Sequence, residues 1–169
     1  MSNRFGRPRP VDPGPGQEAV WDDPRPPRIE PVRARLRVVL GGETIAYSVR
    51  GFRVLETSHP PNYYLPVAEV APGALTRVRG SSFCEWKGHA HYYEVRGGDR
   101  IEPRAAWGYD DPAPAYADLA GTVAFYAGRM DACFVGDEQV EPQPGGFYGG
   151  WITRAVVGPF KGGPGSAGW

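Results

Sequence analysis

Cysteine is scarce in this 169-residue chain, which has only Cys84 and Cys133. Two thiols cannot build a disulfide scaffold or a four-cysteine zinc site. Lysine is as scarce: Lys87 and Lys161 stand against seventeen arginines. Genomic base composition accounts for that bias, and it leaves each lysine conspicuous. Net charge is absent too, because nineteen basic residues balance nineteen acidic ones. A pI near 6.8 removes the electrostatic argument for a nucleic-acid partner. No apolar run approaches the roughly 20 residues a membrane helix needs. The arginine-bearing first ten residues are followed by no apolar stretch of the secretory kind. The expectation is one cytoplasmic domain with irregular ends and no membrane partner.

Glycine (24) and proline (19) are abundant and unevenly spread. Residues 1–31 are interrupted so often by both that they read as an extended tail, or alternatively as a proline-rich ligand for another protein. From residue 32 the pattern changes to short β-type runs. Val32–Leu40 alternates polar and apolar side chains, Gly41-Gly42 makes a turn, and Glu43–Ser48 returns. Further strands are expected at Phe52–Thr57, Asn62–Leu65, Trp86–Val95 and Asp99–Trp107, the last two pairing across Gly97-Gly98. A single helical turn is expected at Val67–Val70. Pro112–Leu119 reads as a short helix capped by Asp111. Thr122–Tyr126 and Asp131–Val135 read as a final hairpin. Many short strands without helical periodicity predict a mainly β fold over residues 32–136, as one antiparallel sandwich or partly open barrel with at most short helices. Residues 137–169 are dense in glycine but carry five aromatics. Ordering such a segment costs entropy that only buried rings offset, so it is expected to pack on the domain with Trp151 as anchor.

The stretch Ser82–Tyr93 carries the most chemistry. Extended from Lys87 onward, it sets Lys87, His89, His91 and Tyr93 on one face, and Trp86, Ala90 and Tyr92 on the other. Cys84, His89 and His91, with His59, are the only residues from which a zinc site would be drawn. No paired short spacing accompanies them, and no metal is expected. Cys84 lies close in sequence to Lys87 and two histidines, which makes it the candidate nucleophile. Glu56 is a carboxylate in an apolar β segment and needs a cationic partner, for which Lys87 or an arginine such as Arg104 is the natural choice. No phosphate loop, dinucleotide fingerprint or hydrolase elbow occurs, and no cofactor is implied.

Five motifs occur in order: Val54-x-Glu56, Asn62-Tyr-Tyr-x-Pro66, Cys84-x-x-Lys-Gly-x-Ala-x-Tyr-Tyr93, Ala105-Ala-Trp-x-Tyr109 with Pro112, and Val123-Ala-Phe-Tyr126. Together they resemble the bacterial family catalogued as domain of unknown function 427, over roughly residues 33–136. The chain departs from that pattern at Glu85, where proline is usual, and at Tyr47, where aspartate is common. The resemblance implies a β-rich domain similar to β-tent folds. It also carries a nucleotidyltransferase-like label whose acidic metal-binding signature is not seen here. The positions it brings forward are Glu56, Tyr63, Tyr64, Cys84, Lys87, Tyr92, Trp107, Tyr109 and Tyr126. The leading expectation is a small-molecule-binding β domain with an aromatic pocket polarised by Glu56 and Lys87. An enzyme with Cys84 or Lys87 as the reactive group is the alternative, nucleotidyl or other group transfer among its possible reactions.

Overall fold

The computed structural model describes residues 7–169. Two strands, β1 (Glu18–Ala19) and β2 (Arg28–Val32), come from the stretch whose composition suggested a tail. Next come β3 (Leu36–Leu40), β4 (Glu43–Ser48), β5 (Gly51–Leu55) and β6 (Asn62–Pro66), then the long β7 (Leu75–Cys84), β8 (Gly88–Gly97) and β9 (Arg100–Gly108). β10 (Thr122–Phe125), β11 (Ala132–Val135) and β12 (Glu138–Gln139) follow. The C-terminal part adds β13 (Glu141–Pro142), β14 (Trp151–Ile152) and β15 (Val156–Val157). Helical structure among the described residues is confined to short 3-10 turns such as Val67–Glu69 and Pro114–Leu119.

Seven strands form one open antiparallel sheet in the order β2-β5-β6-β10-β9-β8-β7, and four form a second, β12-β11-β3-β4. The main core lies between them. Alternation on β6 and β10 sends Tyr63, Leu65, Val123 and Phe125 inward to meet Leu36, Val38 and Leu40 of β3. The intervening residues Tyr64 and Ala124 point the other way. With Trp107, Tyr109, Tyr116 and Leu119 they build a second apolar layer on the outer face of the large sheet. Each large side chain buried in these layers contributes about 1.5–3 kcal/mol.

Four expectations need correction. The stretch expected as an irregular tail is packed from residue 18 onward: β1 pairs in parallel with β15, β2 pairs with β5, and Val20 and Trp21 are buried. Its hydrophobic residues outweigh the prolines, and Arg53 of β5 binds both Glu18 (2.6 Å) and Glu30. Residues 1–6 of that tail lie outside the described residues. The expected hairpin of Thr122–Tyr126 with Asp131–Val135 does not form, because β10 belongs to the large sheet and β11 to the small one. The turn at Ala127–Arg129 carries the chain between layers. Asp111 is not the cap: the 3-10 turn begins at Pro114, with Ala113 at its N-cap and no side-chain cap. Finally, Ile152–Val157, which the sequence reads as one strand, is interrupted: Ile152 ends β14 and Val156–Val157 form β15.

The packed N-terminal segment carries an electrostatic cost. Asp23 is half-buried, and burial together with nearby Glu18 raises its pKa from 3.8 to about 6. The folded state therefore holds this proton more tightly than the unfolded chain. The penalty is absent below pH 3.8 and complete above about 6. Partial exposure screens it, so Asp23→Asn is expected to add about 1–2 kcal/mol at pH 7.5 and nothing near pH 3.5. Chemical denaturation at the two pH values checks this, and an equal gain at both would refute the assignment.

Candidate functional site

The outer layer of the large sheet opens into a cavity of about 300 Å³. Its floor comes from adjacent strands: Ala90 and Tyr92 on β8, Trp107 on β9 with Tyr109 just beyond, and Asn62 on β6. Tyr126, just past β10, packs on Trp107 with ring centroids 4.7 Å apart. One side is the β7–β8 turn with Cys84, Trp86 and Lys87. The opposite side is the corner after β5, with Glu56 and His59. The C-terminal segment supplies the roof through Phe147, Tyr148, Gly149 and Lys161. A Cβ on Gly149 would run into the edge of the Trp107 ring, so glycine there lets the roof sit down on the floor.

The sequence residues gather unequally. Glu56, Cys84, Lys87, Tyr92, Trp107, Tyr109 and Tyr126 all line this one cavity. Tyr64 lies behind it, fully buried and edge-on to Trp107 at 6.2 Å. Tyr63 does not belong to the site. It faces the inter-sheet core and stacks on Trp151 at 5.2 Å, as period-2 alternation requires of the neighbour of Tyr64.

The facing of Lys87 also needs correction. It sits in the turn Glu85–Lys87, not in a strand, so it shares the cavity with Ala90 and Tyr92 rather than a face with His89 and His91. His89 is exposed beside Phe83 (5.0 Å between ring centroids). His91 is buried, with Nε2 2.9 Å from the Tyr93 hydroxyl and Nδ1 3.6 Å from Asp110. Cys84 and His59 share the cavity lining, whereas His89 is exposed and His91 is tied to Tyr93 and Asp110, so the four are not gathered at one point. Among the described residues no three His, Cys, Asp or Glu side chains come together as metal ligands.

Glu56 finds an arginine, as expected, but it is Arg25 rather than Arg104, and not Lys87. Arg25 Nε and His59 Nε2 each lie 3.5 Å from its Oε2. Arg104 lies instead over the Tyr92 ring at 4.2 Å. Lys87 is near enough for Glu56 to act on it electrostatically but forms no ion pair with it. Its backbone carbonyl accepts the Ala113 N–H (3.0 Å), which clamps the turn. Its ammonium, 5.9 Å from the Tyr109 ring centroid, has no hydrogen-bond or ion-pair partner among the described residues. Burial works against that charge. Tyr64, Cys84 and Glu56 outweigh it, and the pKa stands above lysine's ordinary value. Two further atoms at the site are buried without a partner, Asn62 Oδ1 and the Tyr64 hydroxyl. Burial also pushes the Tyr109 phenol up, and that of Tyr126 to about 12, so both stay neutral donors.

His59 and Gln143 do more at the site than the motifs indicated. Gln143 donates through Nε2 to the Lys161 carbonyl (2.7 Å) and to His59 Nδ1 (3.1 Å), and its Oε1 accepts from Gly150 N–H (3.0 Å). This holds the imidazole proton on Nε2, toward Glu56. Burial, with Lys161, Arg25 and Lys87 nearby, lowers the His59 pKa to about 4. His59 is thus neutral at physiological pH. Its His-Pro-Pro setting signalled a stiff turn, and nothing local to Gln143 signalled a role.

The site defines an open antiparallel β domain with an aromatic, charge-lined cavity on the outer face of its larger sheet. The chain belongs to the family described as domain of unknown function (DUF427), which matches residues 28–136. No curated protein matches it. The match runs from the first residue of β2 to just beyond β11. The family portion therefore supplies Glu56, Lys87 and the aromatic floor, whereas Arg25, Gln143, Tyr148 and Lys161 are added by flanking segments.

Proposed function

We propose that the chain is a small-molecule-binding β domain whose aromatic cavity is polarised by Glu56 and Lys87. One observation carries this reading: among the described residues, buried Lys87 lines the cavity with an ammonium that has no hydrogen-bond or ion-pair partner, and Asn62, in the same lining, has a buried Oδ1 without a partner. An unpaired buried polar atom costs about 1–3 kcal/mol, and a charge costs more. A ligand that meets them recovers that cost. The volume, about 300 Å³, matches the lower range of small-molecule sites.

A group-transfer enzyme is the second reading, favoured by the sharing of one cavity by Cys84 and Lys87. The nucleotidyl version suggested by the family's label is one form of it. A lysine whose pKa is raised keeps its proton near neutrality, so Lys87 suits holding a charge better than attacking a carbon or phosphorus. Cys84 is the better nucleophile candidate on that ground.

A metabolite thermal-shift screen tests the first reading. A ligand at a hundredfold excess over its Kd adds about 2.7 kcal/mol, some 5–10 °C for a chain of this size. Alkylation supplies the structural check. Cys84 is half-buried in the cavity wall, whereas Cys133 is in the core with its thiol pKa raised by burial. Iodoacetamide is expected to label Cys84 first, and a stabilising ligand is expected to protect it. A ligand that stabilises the protein while leaving Cys84 labelling unchanged would place binding elsewhere.

A further inference from the structure

We infer that the ligand group met by this cavity is an anion, a carboxylate or a phosphate, carried on a flat aromatic body and set against Lys87. The inference rests on the cavity being a ligand site and adds the sign of the charge. Both signs line the cavity, so the decision turns on which charges are already matched. Glu56 is flanked by Arg25 and by the Nε2 side of His59, each at 3.5 Å. Lys161 donates to the Trp169 carbonyl at 3.2 Å and lies over the Tyr148 ring at 5.6 Å. Glu85 also lines the cavity, but it is exposed and solvated. Lys87 is buried, and its ammonium has only the Tyr109 ring, 5.9 Å away, with no hydrogen-bond or ion-pair partner among the described residues.

A cationic ligand would therefore find Glu56 already compensated, Glu85 held by solvent, and an ammonium without a counter-charge facing it. A neutral ligand would leave that ammonium unpaired. An anion completes the set through a charge-assisted hydrogen bond. His59 reports the same local field. It lies 3.5 Å from a carboxylate, yet burial first, and then the nearby Lys161, Arg25 and Lys87, keep it neutral. The aromatic body follows from the floor, where Trp107, Tyr126 and Tyr92 present rings along one wall. Asn62 Oδ1 only accepts, so the ligand also carries an N–H or O–H donor.

Four probes sharing a phenyl ring separate the possibilities: phenylacetate, phenyl phosphate, phenethylamine and phenethyl alcohol. Each is titrated into the full chain while the indole N–H signals of Trp86 and Trp107 and the imidazole signals of His59 are followed by NMR. The two anions are expected to bind about tenfold or more tighter than the amine and the alcohol, and to raise the His59 pKa by adding negative charge beside it. Lys87→Gln is expected to abolish that preference and Lys87→Arg to retain it. The stronger of the two anionic arms identifies the group. If Lys87→Gln fails to fold, the order of the four probes on the unaltered chain and the His59 shift decide alone. Amine or alcohol binding at Trp107 as tight as anion binding overturns the anion while the pocket reading stands. If no probe moves Trp86 or Trp107 at millimolar concentration, both readings fall.

Discussion

Replacing Trp151 by alanine is expected to cost about 3–5 kcal/mol. For a chain of this size that lowers Tm by roughly 6–20 °C. Trp151 is the largest fully buried side chain among the described residues. Its ring stacks on Tyr63, and its Nε1 donates to the Phe125 carbonyl at 3.0 Å. Removal leaves a cavity against β6 and β10 and a carbonyl without its donor, two losses that add. The backbone N–H of Trp151 also binds the Pro61 carbonyl at 2.8 Å, so loosening here reaches the turn that carries His59. Phe147, four residues earlier, is 77% exposed, and its alanine variant is expected to change stability by less than about 0.5 kcal/mol. Comparable melting temperatures for the two variants would show that the segment is not anchored through Trp151.

Gly97→Val is expected to cost about 3 kcal/mol, the upper part of the range for overpacking. The β8–β9 turn meets the β3–β4 turn backbone to backbone. A Cβ on Gly97 would strike the Leu40 carbonyl, and one on Gly41 would strike the carbonyl of Gly97. Backbone cannot step aside as the end of a side chain can, so the two sheets must separate at this corner. Gly42 is the control. It has a left-handed φ of 77°, but a Cβ there would meet nothing within 4 Å. Gly42→Ala is therefore expected to cost only backbone strain, about 1 kcal/mol. Denaturant midpoints measure both, and equal effects would mean the turns do not touch in solution.

Those glycines mark the boundary of what is legible in the sequence. Both Gly-Gly turns and the strands beside them follow from local pattern, because turn chemistry and side-chain alternation are properties of neighbouring residues. That the turns abut is a long-range fact with no local signal. β7 is hidden for a different reason. It is an edge strand, mostly exposed, with polar residues throughout and a bulge near Gly80, so it lacks the apolar alternation of a half-buried strand. The hairpin expected from β10 and β11 fails because adjacency in sequence suggests pairing, whereas each strand is apolar enough to be taken up by a different sheet. At the site, Lys87, Glu56 and the floor tyrosines follow from the motifs. Gln143 and Lys161 are long-range additions whose local sequence is mostly glycine and proline. Arg25 is hidden by the same composition that makes residues 1–31 resemble a tail.

The parallel pairing of β1 with β15 has a consequence for how the chain is made. Glu18 pairs with Val156, and the Trp21 indole donates to the Pro159 carbonyl. A ribosome releases the first of these partners long before the second, so Val20 and Trp21 have no final berth until Val156 and Pro159 have emerged. The two sheets can assemble earlier from hairpins that close locally, and loop-closure entropy makes the end-to-end contact the last and slowest to form. In the interval an apolar segment waits in the open, where chaperones and proteases act on nascent chains. Its flanking prolines, at positions 13, 15, 24, 26 and 27, keep it from entering an aggregating strand while it waits.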